Sequence, residues 1–152
     1  MQKKTGFPNV VRIAGGTLFP LAFEPQTEDA PDCKGRKHLC TLTVMIVCDY
    51  DRRIRFCHAG FPGSAHDMRV CRNMDLFLNP QNCFSENEFN IGDSTFSNSP
   101  FVVASFKKQH NEEMTEEHKK FNKLLSKVGM RSEHTIGISK GRFPCRGCVP
   151  SE

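Results

Sequence analysis

No stretch of this 152-residue chain approaches the uninterrupted apolar length that spans a bilayer, and the opening Met1-Gln-Lys-Lys-Thr-Gly-Phe-Pro8 lacks the apolar core of a secretory signal. These two absences argue against a membrane-spanning or secreted protein, and the expected location is intracellular, nuclear or cytoplasmic. Internal repeats and low-complexity tracts are missing as well, while apolar residues at 38% and charged residues at 25% are ordinary globular values. A strong charge of one sign is also absent. The net charge of +4 permits contact with phosphate but falls below the bias of a dedicated nucleic-acid module. Finally, no acidic residue occurs from Arg12 to Pro20.

What is present suits one α/β domain over residues 1–152, with an irregular Gly/Pro-rich tail over 144–152 that stops without a closing element and reads as an incomplete domain end. Val10 to Leu21 starts β-branched and is broken by Gly15-Gly16, a strand passing a tight or close-approach point. Residues 24–37 form a polar loop. Thr41 to Cys48 is nearly continuous apolar sequence, as in a strand covered on both faces. After the turn Asp49-Tyr-Asp-Arg-Arg53, a second strand from Ile54 to Ala59 pairs back as a hairpin, and Gly60-Phe-Pro-Gly63 stops it.

Ser64 with Asp67 resembles a capping box, and Met68, Cys71, Met74 or Asp75, and Leu78 keep helical spacing on one face up to Asn79-Pro80. Glu88 to Ile91 is a short strand whose exit turn is Gly92-Asp93-Ser94. Phe101 to Phe106 is equally a strand or a short helix. Phe121, Leu124, Leu125 and Val128 then mark an amphipathic helix with Glu116 and Glu117 near its start. Continued through Gly129, that helix sets Glu133 on the same inward face as Leu125, Gly129 and Ile136.

Eight cysteines without a secretory signal read as thiols. Cys48, Cys57 and Cys71 fall inside apolar patterns, as small hydrophobes do. Cys145-Arg-Gly-Cys148 has metal-ligand spacing, but Cys33, His38 and Cys40 are scattered, so chance-spaced thiols are favoured over structural zinc.

The acids point to different chemistry. Two-metal cleavage of phosphodiesters needs carboxylates converging from strand ends and a facing helix, because Mg²⁺ prefers oxygen ligands and closely spaced cations need fixed negative charge. Asp93, after a strand, and Glu133, on a late helix, have suitable placements. Each has a plainer reading, Asp93 as turn chemistry and Glu133 as a solvated helix residue. Asp67 either caps its helix or joins His66 in serving a metal or a phosphate, and the sequence leaves both open. Arg69, Arg72, Lys140 and Arg142 offer phosphate contacts, or a soluble surface.

The order Gly16-Thr17, Cys48-Asp49, Gly60-Phe-Pro-Gly-Ser-Ala-His-Asp-Met-Arg-Val-Cys-Arg-Asn73, Gly92-Asp93-Ser94 and Lys140-Gly-Arg-Phe143 resembles Harbinger-type (PIF/Harbinger) DDE transposases and the nucleases derived from them. The resemblance runs from about Phe7 to Val149, and Gly60 to Asn73 is its most specific part. It implies a ribonuclease H-like mixed sheet flanked by helices, binding Mg²⁺ or Mn²⁺ and cutting DNA. It places the second acid at Asp93 and the third at Glu133, with Asp67 in a His-Asp motif of further metal-binding potential. The first acid falls on Gly15, where such transposases read Asp-Gly-Thr. This copy is therefore expected to be degenerate as a nuclease, or to persist as a non-catalytic module that binds protein or, weakly, DNA. Arg131-Ser-Glu-His-Thr135 and Cys145-Arg-Gly-Cys148 depart from the family's pattern. The helix-turn-helix that often accompanies these transposases is not among the 152 residues, which makes a separate DNA-recognition protein an expected partner.

Overall fold

The computed structural model describes residues 6–21, 40–92, 95–108 and 113–143. Strand β1 (Val10–Pro20) pairs antiparallel with β2 (Thr41–Cys48), and β2 pairs antiparallel with β3 (Ile54–Pro62). The chain then crosses through helices α1 (Asp67–Arg72) and α2 (Asp75–Leu78) and a 3₁₀ turn (Pro80–Asn82) before β4 (Phe89–Ile91). β4 runs parallel to the free side of β1, with Ile13 opposite Ile91, and β5 (Val102–Val103) runs parallel to β4. The sheet order is β3-β2-β1-β4-β5, and the long helix α3 (Glu116–Arg142) follows. This is the mixed, helix-flanked sheet that a ribonuclease H-like domain requires.

Side-chain alternation along the strands divides the core into two layers. Ala14, Met45 and Val47 pack with Val70, Cys71, Met74 and Leu76 of the short helices and with Phe96. Their neighbours Ile13, Cys48 and Ile91 pack on the other face with Leu125 and Val128 of α3. β2 is buried on both faces, which is why its sequence is almost continuously apolar. α3 begins where Thr115 Oγ1 accepts a hydrogen bond from the His118 N–H at 3.3 Å. Glu116 and Glu117 in its first turn and Lys140 and Arg142 in its last complement the helix dipole. Tyr50 holds it from outside, stacked under the Arg131 guanidinium at 4.6 Å. Nothing in the packing requires Gly129, Gly137 or Gly141, whose missing side chains face open space.

Several sequence-based expectations change. β3 continues to Pro62, past Ala59. The Ser64–Asp67 box does not form: the N-cap of α1 is His66, without a side-chain cap, and Asp67 is the first helical residue. The expected single helix to Leu78 is two, because Asn73 ends the first and turns its side-chain amide back to the Arg69 carbonyl, 2.8 Å away. Leu78 and Leu124, counted on buried faces, are 60% and 43% exposed, while Val70 and Leu76 are core residues. Cys57 is exposed because β3 forms the sheet edge, whereas Cys48 and Cys71 are buried as expected. The ambiguous segment Phe101–Phe106 contains the strand β5. The loop over 24–37 and the tail over 144–152, including Cys145 and Cys148, lie outside the described residues, as do Cys33 and His38. No helix among the described residues is long and apolar enough to cross a membrane.

The turn between β2 and β3 is organised by one buried acid. Asp49 is 6% exposed; its Oδ1 accepts the Arg53 N–H at 2.9 Å, and its Oδ2 accepts from Arg55 Nε and Nη2 at 3.0 and 2.8 Å. Burial alone raises this carboxyl's pKa, but the hydrogen bonds from Arg53 and Arg55 and the Arg55 charge outweigh it and hold the pKa below the ordinary aspartate value. A depressed folded pKa means stability that is present above the unfolded value, about 3.9, and is lost as pH falls through the folded one. Urea unfolding from pH 5 downward should show this loss, and Asp49→Asn should flatten that part of the profile while lowering stability at pH 7.

Candidate active site

Gly15 and Gly16 are consecutive in β1 and therefore face opposite layers. A Cβ on Gly15 would lie 3.1 Å from Ser132 Oγ and 3.2 Å from Ile136 Cδ1, on the α3 side. A Cβ on Gly16 would lie 2.5 Å from Asp67 Oδ1, on the α1 side. Neither glycine has a positive φ. What both provide is close approach, as the break in the strand pattern implied.

On the α3 side a cavity of about 350 Å³ opens between the middle of β1, the end of β4 and the helix. Gly15, Gly92, Ser105, Ser132, Glu133 and Ile136 contribute to its wall. The sheet side of the wall includes Gly15, Gly16 and Gly92 beside Ile13 and Ile91, and the helix side carries the buried Ser132, with Thr135 buried nearby in α3. Their hydroxyls are satisfied within α3, Ser132 donating to the Gly129 carbonyl and Thr135 to that of Arg131, each at 2.8 Å. Glu133 is exposed and lines the cavity. Leu125, Gly129 and Ile136 share the same wall, as helical spacing indicated.

The sequence-predicted site residues are thus only partly brought together. Gly15 and Glu133, expected as the first-acid position and the third acid, line one cavity. Asp93 lies outside the described residues, although Gly92, immediately before it, forms part of the wall. Asp67 does not join them: its carboxylate rests on Gly16, across β1, and accepts a hydrogen bond from Thr95 Oγ1 at 3.4 Å. His66, Arg69 and Arg72 are exposed on α1, and Lys140 and Arg142 are exposed at the end of α3. Those basic residues therefore sit on opposite sides of the sheet, with Lys140 Nζ 5.5 Å from the Phe19 ring. Cys48 is fully buried, and burial pushes its thiol pKa up.

Sequence reading missed the contact between Gly16 and Asp67. Strand alternation already separated Gly15 from Gly16, but nothing local identified what each would face. Asp49, expected in a turn and as part of the Cys48-Asp49 motif, proves to be a buried acid; its position after an apolar strand, with three arginines within six positions, was the available signal.

The chemistry of such a cavity depends on its donors. Divalent ions of the Mg²⁺ type need several oxygen ligands in close, nearly octahedral array. In the described wall Glu133 supplies the one carboxylate and Gly15 supplies none, and among the described residues no group of three or more His, Cys, Asp or Glu could hold a metal ion. The described donors do not fit a two-metal centre.

Residues 14–152 match a family model described as DDE superfamily endonuclease. No curated protein and no solved structure matches the chain.

Proposed function

Because this chain belongs to the DDE superfamily endonucleases, we propose that it is a Harbinger-type, transposase-derived nuclease domain whose cutting site is the cavity beneath α3, degenerate through loss of the acid at Gly15. The observation that carries this reading is the direction of the missing Gly15 side chain, into the cavity that Glu133 lines. Family membership implies DNA as substrate and a divalent metal, Mg²⁺ or Mn²⁺, as cofactor. In such a site the metal would supply positive charge for phosphodiester cleavage. Asp93 and Glu133 are the two acids left to hold it, and a site short of the first carboxylate loses much of its affinity for closely spaced cations.

The donor set favours a second reading over an active nuclease: a domain that still touches DNA and does not cut it, working with a separate DNA-recognition protein. Exposed Arg69 and Arg72 on α1 and Lys140 and Arg142 on α3 supply phosphate contacts. Duplex binding should weaken steeply with salt and be indifferent to EDTA, and Arg69→Ala with Arg72→Ala should lower the slope of log K against log salt by about two. Binding that requires metal and ignores salt would count against it.

A further inference from the structure

The geometry points to the outward face of α3 as a holding surface for duplex DNA, on the side of the helix turned away from the cavity. Resting on the reading that the domain still touches DNA, it adds a surface separate from Arg69 and Arg72 of α1 and from the last turn of α3. At 100° per residue, Lys120, Lys123 and Lys127 fall within about 60° of one another around the helix. Gly129 and Ile136, which line the cavity, lie about 150° or more from the centre of that stripe. The three lysines are exposed, and among the described residues none of them pairs with an acid. The acids of α3 stand elsewhere: Glu116 pairs with Lys119 at 2.8 Å, Glu117 shares that first turn, and Glu133 lines the cavity.

The stripe continues past Lys127. One turn on, the Arg131 guanidinium lies 4.6 Å from the centre of the Tyr50 ring, and its Nη2 donates to Tyr50 Oη at 3.3 Å. That contact fastens the basic helix to the β2–β3 turn, where Arg52 and Arg53 are exposed beside Asp51. A row of this kind fits a polyanion better than a protein, because protein interfaces are depleted in lysine, which is here the recurring residue. At 1.5 Å per residue, Lys120 and Arg131 are about 17 Å apart along the axis. One DNA strand presents a phosphate about every 3.4 Å of duplex axis, so three lysines and Arg131 face about five phosphates. Backbone contacts of this sort fix position without reading sequence. A duplex on the stripe has α3 between itself and the cavity, and is held there without reaching Glu133.

Lysine acetylation of the full chain, read by mass spectrometry with and without a short duplex of random sequence and no metal, tests this. The duplex should protect Lys120, Lys123 and Lys127 by at least about threefold, leave the exposed Lys107 and Lys108 at their free rates, and lose its effect in high salt. Changing the three stripe lysines together to Ala should lower the slope of log K against log salt by about 2.7, and changing them to Arg should preserve it. Both replacements are good helix formers at exposed positions, so α3 is retained. A duplex that binds while the three lysines stay fully reactive would overturn the inference and leave DNA contact through α1 standing. Absence of any duplex binding would remove both. Protection by polyglutamate and not by duplex would overturn it in favour of an acidic protein segment.

Discussion

Phe96→Ala should lower the stability of the domain by about 3–5 kcal/mol, the range for truncating a buried phenylalanine. Phe96 is 2% exposed and is the largest fully buried side chain among the described residues, set in the layer with Val70, Met74 and Leu76. Removing it takes away both the transfer term and the contacts around a ring-sized void, which α1 and α2 are too short to close by sliding. Against a total of about 5–15 kcal/mol for a domain, this is a large fraction. With an m-value of about 2 kcal/mol/M in urea, the midpoint should fall by about 2 M. A midpoint shift below about 0.5 M would show that the ring does not hold this layer together. The same ring covers Gly92.

The second large effect concerns Gly15. Its vacant position meets Ser132 Oγ, Ile136 Cδ1 and Ser132 Cβ at 3.1, 3.2 and 3.3 Å. These are ends of side chains, not backbone, and a shift of a few tenths of an ångström admits a Cβ. Gly15→Asp should therefore fold, at a cost of about 1–3 kcal/mol for the tighter packing, with its carboxylate directed into the cavity beside Glu133. Even outer-shell partners of metal ligands change affinity by 10- to 100-fold. Gaining a direct ligand should raise Mn²⁺ affinity by at least about 100-fold, as read by calorimetric titration of native and variant chains.

How much of this was legible in the sequence varies with the physical signal. β2 could be bounded because a strand covered on both faces has no polar interruptions until its turn. α3 was visible through Phe121, Leu125 and Val128, and its continuation past Gly129 brought Glu133 to the cavity as spacing indicated. Leu124, Leu78 and Cys57 were misplaced because apolar identity does not reveal whether another element covers that face. The order of strands decides that, and strand order is set by non-local pairing. Asn73 broke a helix whose hydrophobic spacing continued through it. Asp67 had all the local marks of a cap, yet its carboxylate is used across the fold, on Gly16 and Thr95. The vacancy at Gly15 could be read only by family resemblance; its facing Ser132 and Ile136 required coordinates.

The most direct test is cleavage of duplex DNA in Mg²⁺ or Mn²⁺ by the native chain and by Gly15→Asp. The account predicts no metal-dependent cleavage by the native chain, nicking by Gly15→Asp, and loss of that nicking when Glu133→Gln is added. Native protein that cuts DNA with metal, and stops on Asp93→Ala, would contradict it.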